Sequence, residues 1–248
     1  MCGCPVRPLY DDLPKSLVVA IDGTAQSGKN TVGEIVAQTI GGVLVDSDRV
    51  YRALTKACLD AGVDLDERPG IIEFCRSAAL EIRVDWDGGK VKEALPFING
   101  RFFSKDKLMS VAPQTWKVGG IRYVREAVTR ALQLCACYGR IVVVGHDIGG
   151  VIFPNTPFKF ILDAPAQARE QRHDREMNSY GAVQRDQDEE KQMVFADDAL
   201  LIETGNMEPR EVSGIILIEV FWGADERKVL GSQEKRDQNL IKVSKLSQ

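Results

Sequence analysis

Hydrophobic residues in this chain gather in short dense runs, separated by longer stretches in which apolar positions recur every three or four residues. The first run is Ser16-Leu17-Val18-Val19-Ala20-Ile21, and Val43-Leu44-Val45, Ile141-Val142-Val143-Val144, Phe158-Lys159-Phe160-Ile161-Leu162 and Ala199-Leu200-Leu201-Ile202 follow. Such near-continuous runs read as strands buried on both faces. After the first of them, Val32, Ile35, Val36, Thr39 and Ile40 fall at helical spacing. The alternation predicts an α/β fold: a five-stranded parallel sheet covered by helices on both faces and joined by right-handed crossovers. Ligands of such sheets bind beyond the carboxyl ends of the strands. That directs attention to Asp22 to Thr31, Asp46 to Arg52, Gly145 to Gly150, Asp163, and Glu203 to Gly205.

The pattern changes between the second and third runs. Leu80-Glu81-Ile82-Arg83-Val84-Asp85-Trp86 alternates, Asp87-Gly88-Gly89 reads as a turn, and Lys90-Val91-Lys92 starts a return strand. This predicts a hairpin within a small inserted β-rich subdomain at about residues 80–104. A long helix is expected from about Thr115 to Cys137, and from Gly223 onward the chain turns polar without clear periodicity, which predicts a frayed tail.

The residues at the end of the first run suggest chemistry. Gly23-Thr24-Ala25-Gln26-Ser27-Gly28-Lys29-Asn30-Thr31 places a glycine-rich turn and one lysine between a strand and a helix. A polyphosphate is held well by backbone N–H groups at a helix N-terminus, and glycines allow the backbone to approach it. Lys29 is expected to reach the β- and γ-phosphates of a nucleotide, with Thr31 as the hydroxyl near Mg²⁺. The strict pattern wants a hydroxyl directly after the lysine, where Asn30 stands.

Composition narrows the partners. The 248 residues are 44% hydrophobic and 27% charged, ordinary for a globular chain with a large core. A net charge of −4 argues against a nucleic-acid polymer or an anionic membrane as partner, so a phosphate ligand would be held by local arginines. No stretch approaches the roughly 18 apolar residues of a membrane span, and Met1 to Ser16 lacks a signal-peptide core, so a cytoplasmic location is expected. Cys2 and Cys4, and Cys135 and Cys137, form C-x-C pairs rather than the usual zinc spacing, while Cys58 and Cys75 fall in helical patterns as small core residues.

Gly145-His146-Asp147-Ile148-Gly149-Gly150-Val151-Ile152-Phe153-Pro154 resembles the G-R-D-I-G-T-V-V-F-P segment of the cytidylate kinase family of P-loop nucleoside monophosphate kinases. The resemblance runs from about Leu17 to Val220. It takes in the loop Ile21 to Thr31, Val45-Asp46-Ser47-Asp48-Arg49-Val50-Tyr51-Arg52 at the acceptor site, Val124-Arg125-Glu126-Ala127-Val128 on the long helix, and Phe160 to Arg172 before the lid. It implies a P-loop kinase domain over residues 16–222 with an NMP-binding insertion at 80–104 and a helical lid at about 165–195. Residues 1–15 are then an N-terminal extension and 223–248 a polar tail. ATP would lie on Gly23 to Thr31, and CMP or dCMP near Asp46, Ser47, Arg52, Arg125, His146 and Asp147. Lys29, Arg125, Asp147 and Arg185 would serve catalysis, and the protein would act as a monomer. Arg52 and Arg125 suit the work because a guanidinium grips phosphate with a planar fork.

The chain departs from the family in places. His146 replaces an arginine, exchanging a permanent cation for an imidazole of ordinary pKa about 6.5. Gly150 replaces a threonine. The lid reads Arg185-Asp186-Gln187-Asp188-Glu189-Glu190-Lys191-Gln192 and then Met193-Val194-Phe195, with Gln192 where an arginine is expected, while Arg169, Arg172, Arg175 and Lys191 remain as lid cations. Losing a transition-state arginine costs about 10³ to 10⁵ in rate where arginine fingers act. Three functions stay open at this level: a working CMP/dCMP kinase, a P-loop kinase with a shifted acceptor, and a nucleotide-binding module that has lost efficient transfer.

Overall fold

The computed structural model describes residues 13–85, 92–169 and 194–226. The strands expected from the dense apolar runs are β1 (Leu17–Gly23), β2 (Val43–Asp46), β6 (Arg140–Gly145), β7 (Phe158–Asp163) and β8 (Leu200–Glu203). All are parallel to their neighbours in this set, in the order β2-β6-β1-β7-β8. Each side of the sheet buries its own core. Ala20, Val43, Val45, Ile141 and Val143 share a core with helices α2 (Ser47–Asp60), α3 (Arg68–Ser77), α4 (Lys105–Val111), α5 (Thr115–Gly119) and α6 (Arg122–Leu134). Val19, Ile21, Leu44, Val142 and Val144 face α1 (Lys29–Thr39) and the last described helix, α7 (Pro209–Glu226). The run Ile141 to Val144 is thus divided residue by residue between two cores, which explains why it carries no polar face.

The sheet is larger and more mixed than the five parallel strands expected. The β-rich stretch contains β3 (Leu80–Asp85), β4 (Lys92–Ile98) and the short β5 (Arg101–Phe102), in antiparallel pairs. Strand β4 also pairs in parallel with β2, through Val43 to Val45 against Lys92 to Ala94. The insertion therefore extends the main sheet to eight strands. Pro96 is tolerated because it lies past the residues of β4 that pair with β2, where a missing N–H breaks no bond to that neighbour. The hairpin turn predicted at Asp87-Gly88-Gly89 lies outside the described residues.

Two helix boundaries differ from expectation. The long helix is broken: α5 stops at Gly119, Gly120 follows, and α6 begins at Arg122 after an extended Ile121 (φ −93, ψ 118). Adjacent glycines cost about 1 kcal/mol each in a helix interior relative to alanine, and the break lets Val118 and Ile121 both turn into the core. Helix α6 ends at Leu134 and passes into a 3₁₀ turn at Cys135–Tyr138. At the other end, α7 runs on past Gly223 to Glu226, so the helix enters the region expected to be frayed. Residues 1–12 of the N-terminal extension, 227–248 of the tail, and 170–193 of the expected lid lie outside the described residues. Cys58 is fully buried and Cys75 packs against the same core, as expected of small apolar residues. No helix among the described residues is long and apolar enough to cross a membrane.

Candidate active site

The phosphate loop connects the carboxyl end of β1 to α1. At Gly23 a Cβ would lie 2.1 Å from the Leu162 carbonyl oxygen, so the neighbouring strand leaves no room for a side chain. Gly28 has open space around it but a φ of 94, so its requirement is conformational. Gln26 also sits in the left-handed region, at φ 60, a strained conformation for a residue with a Cβ that sequence patterning did not anticipate. The loop is tied to the far strand by Thr204, whose hydroxyl donates to Ser27 O at 2.9 Å. Thr204 follows β8, where the fold rule pointed, but nothing in its residue type singled it out.

Lys29 is buried, and its ammonium donates to Gly23 O and Thr24 O, each at 2.7 Å. The hydroxyls Thr24 Oγ1 and Ser27 Oγ are buried without a hydrogen-bond partner. Buried donors without partners cost free energy, and these two stand beside the lysine at a helix N-terminus. The residues present therefore fit a phosphate, which accepts from hydroxyl, ammonium and backbone N–H alike. Thr31, in the first turn of α1, is exposed. Among the described residues no cluster of three His, Cys, Asp or Glu could hold a metal. Magnesium in phosphate sites commonly takes one or two protein oxygens and completes its shell with phosphate and water, so the oxygen donor of Thr31 fits that ion.

Across the strand ends, Asp46 and Ser47 join β2 to α2. Asp46 Oδ1 caps α2 by accepting from Asp48 N at 2.9 Å and Arg49 N at 3.4 Å, while Oδ2 accepts from Asn30 Nδ2 at 3.0 Å. Asn30, in place of the expected hydroxyl, thus links the phosphate loop to the cap of α2. Burial, and then the neighbouring Asp48, push the Asp46 carboxyl above its ordinary range. Ser47 is buried with its oxygen where a Cβ on Gly145 would fall, 1.8 Å away.

A charged group gathers at the end of β6. Arg125 from α6 donates to Asp147 Oδ2, and Asp147 is buried at a φ of 59. His146 lies beside them with its Nδ1 buried and unpartnered. Burial lowers the imidazole pKa below its ordinary value, although Asp48 pulls it back up. Sequence reasoning passed over Asp48. Burial works to raise its carboxyl, yet His146, Arg52 and Lys29 outweigh that and hold it below the usual range. A carboxylate on the first turn of α2 therefore shares the field of Lys29, Arg52 and the His146 imidazole, all expected to face phosphates. Its position two residues after a strand end was the available signal. Arg52 lies on the same helix and reaches Met109 Sδ at 3.5 Å. Arg185, with Arg172, Arg175 and Lys191, lies outside the described residues.

Beneath the cluster, Asp22 accepts the N–H groups of Ile148 and Gly149, each at 2.7 Å. Burial pushes its carboxyl up to about 6 despite those donors.

A glycine-rich loop at the head of a helix, facing an arginine, histidine and carboxylate cluster across parallel strand ends, defines a P-loop α/β protein built for phosphate groups. The finer class comes from comparison. A family model described as "Cytidylate kinase" matches residues 19–220. The chain belongs to the cytidylate kinase family. It is similar to the cytidylate kinase of Limosilactobacillus reuteri (strain DSM 20016), 34% identical over 168 residues that cover 67% of this chain and 72% of the relative. It also resembles those of Herpetosiphon aurantiacus, 30% identical over 213 residues (80% and 92% of the two chains), and Bacillus subtilis (strain 168), 30% identical over 221 residues (83% and 96%).

Proposed function

We propose that the protein transfers the γ-phosphoryl group of ATP to the 5′-phosphate of CMP or dCMP, giving CDP or dCDP and ADP. The observation that supports this most is the electrostatic cluster of Lys29, Arg52, Arg125, His146 and Asp147 around Asp48, with Lys29 on the phosphate loop and Arg125 paired to Asp147. Gly23, Thr24, Ala25, Gln26, Ser27, Gly28, Lys29, Asn30 and Thr31 bind ATP in this reading. Thr24 and Ser27 donate their buried hydroxyls, and Lys29 shifts from the loop carbonyls to the phosphates. Thr31 holds Mg²⁺, which neutralises charge on the phosphates when bound. Arg52 and Arg125 grip the acceptor phosphate, Asp147 orients the acceptor sugar or base, and Arg185 brings a cation from the lid. Asp46 and Ser47 shape the acceptor rim through the α2 cap. The transition state is loose and anionic, so alignment, charge neutralisation and exclusion of water carry the catalysis without a protein nucleophile.

The position of Asp48 favours a second reading. A carboxylate beside Arg52 and Lys29 competes with an incoming phosphate for those cations, which suits an acceptor carrying less negative charge. One experiment separates the readings. ADP formation is measured with Mg²⁺ and ATP against CMP, dCMP, UMP, AMP, GMP, the nucleosides and small alcohols, with Lys29→Ala alongside. Turnover that depends on Lys29 and is confined to CMP and dCMP supports the proposal; a better neutral acceptor selects the second reading. ATP binding with silence across the panel refutes both and leaves a binding module. The same reading places a monomer in the cytoplasm, which sedimentation of the purified chain and cell fractionation check.

A further inference from the structure

Gly150, which stands where the resembled family carries threonine, is covered by another part of the chain. A Cβ built at Gly150 meets the carbonyl oxygen of Val194 at 2.1 Å and its carbonyl carbon at 3.0 Å. Backbone atoms cannot swing aside as the tip of a side chain can. Val194, at the head of residues 194–198 leading toward β8, therefore rests on this glycine, and a threonine could not occupy the position while it does.

The contact delivers a hydrogen bond. Val194 donates its N–H to Asp147 Oδ1 at 2.6 Å, across 47 residues of sequence. The other carboxylate oxygen, Oδ2, takes Arg125 from α6. The two oxygens of a buried carboxylate are thus held by separate parts of the fold. The far end of the same short segment is also fixed: Asp198 sets its two oxygens 2.8 and 3.0 Å from Lys159 Nζ, and that ammonium also donates to Pro154 O at 2.6 Å. The Lys159 side chain is 5% exposed, so losing its carboxylate partner would leave a buried charge uncompensated. Residues 194–198 form a strap pinned on Asp147 at one end and on Lys159 at the other.

The geometry points to Gly150 as a positioning residue for the acceptor: by admitting the Val194 carbonyl it brings the Val194 N–H onto Asp147 and sets the direction in which that carboxylate faces. This rests on the reading of Asp147 as an acceptor-binding group. It also joins two departures of this chain, the missing threonine and the altered segment after the lid, into one arrangement. With a side chain at position 150 the strap is lifted, and Asp147 keeps Arg125 alone and turns toward it.

The test compares wild type, Gly150→Ala, Asp198→Asn, Asp147→Ala and Gly150→Ala combined with Asp147→Ala, with CMP and ATP varied separately. Gly150→Ala is expected to raise the KM for CMP about tenfold, the equivalent of one lost hydrogen bond to a charged group, with the KM for ATP unchanged. Asp198→Asn loosens the strap from its far end and is expected to shift the same constant in the same direction. It also decides the question should Gly150→Ala fail to fold. In the Asp147→Ala background, Gly150→Ala should add little, because its route is already cut. Additive effects, or losses in stability with the KM for CMP unmoved, overturn the proposal. Should the wild type turn over no cytidine monophosphate, the functional reading fails separately, and amide exchange at Val194 then decides. Protection in the wild type that is lost in Gly150→Ala and in Asp147→Ala supports the strap; an unprotected Val194 in the wild type overturns it.

Discussion

Asp22 offers a sharp physical test, because its carboxyl is buried beneath the site and its two oxygens accept the N–H groups of Ile148 and Gly149. Desolvation outweighs those donors and raises its pKa from an ordinary 3.8 to about 6. The folded protein therefore binds this proton more tightly than the unfolded chain does. The stabilising contribution is fully present below pH 3.8 and is lost as pH rises through about 6. At 1.36 kcal/mol for each tenfold change in acidity, the loss amounts to about 3 kcal/mol. The assay is urea unfolding of wild type and Asp22→Asn at intervals from pH 4 to pH 8. Asparagine does not titrate, and like the protonated acid it has one good acceptor oxygen for the two N–H groups, so the variant supplies the pH-independent reference. The stability of wild type relative to the variant should fall by about 2 kcal/mol across that window, with most of the change between pH 4 and 6.5. Carbon NMR of the Asp22 carboxyl should show a midpoint near 6. A midpoint at or below 4, or a stability difference independent of pH, would falsify the account of a desolvated carboxyl.

His146 and Gly33 carry the remaining predictions. Burial keeps the His146 imidazole below its ordinary pKa, so it is largely neutral at pH 8 and gains charge only on the acid side. His146→Arg restores a permanent cation and should lower the KM for CMP more at pH 8 than at pH 6, with controls for the substrate phosphate, which itself titrates near 6; equal effects at both pH values count against the charge explanation. Gly33 on α1 would place a Cβ 2.5 Å from Val144 Cγ1 and 3.1 Å from Leu44 Cδ1. Overpacking of that kind costs about 1–3 kcal/mol, more than the ~1 kcal/mol that alanine gains over glycine in a helix. Gly33→Ala should therefore lower the denaturant midpoint, and a variant as stable as wild type refutes the packing argument.

Local sequence was enough to locate the phosphate loop, because strand, glycine-rich turn and helix are contiguous there and the chemistry of Lys29 needs no distant partner. It was also enough for the five parallel strands, since a strand buried on both faces must be apolar at nearly every position. It did not say which core each residue enters, and only the helices packed on the two sides divide Val142 and Val144 from Ile141 and Val143. It did not show that β4 would pair with β2, because backbone pairing leaves no mark in residue type once one face is covered. The predicted long helix failed at Gly119 and Gly120, where core packing of Val118 and Ile121 decided against continuity. In the site, resemblance pointed to His146, Arg125 and Asp147, but the field around Asp48 arises only when α2, β6 and α1 converge. Gly150 read as a lost hydroxyl until Val194, remote in sequence, was found on top of it. What the chain encodes through local periodicity and turn chemistry was legible from the sequence alone. What depends on two distant segments meeting was decided by the tertiary structure, because desolvation and steric exclusion are properties of the assembled neighbourhood.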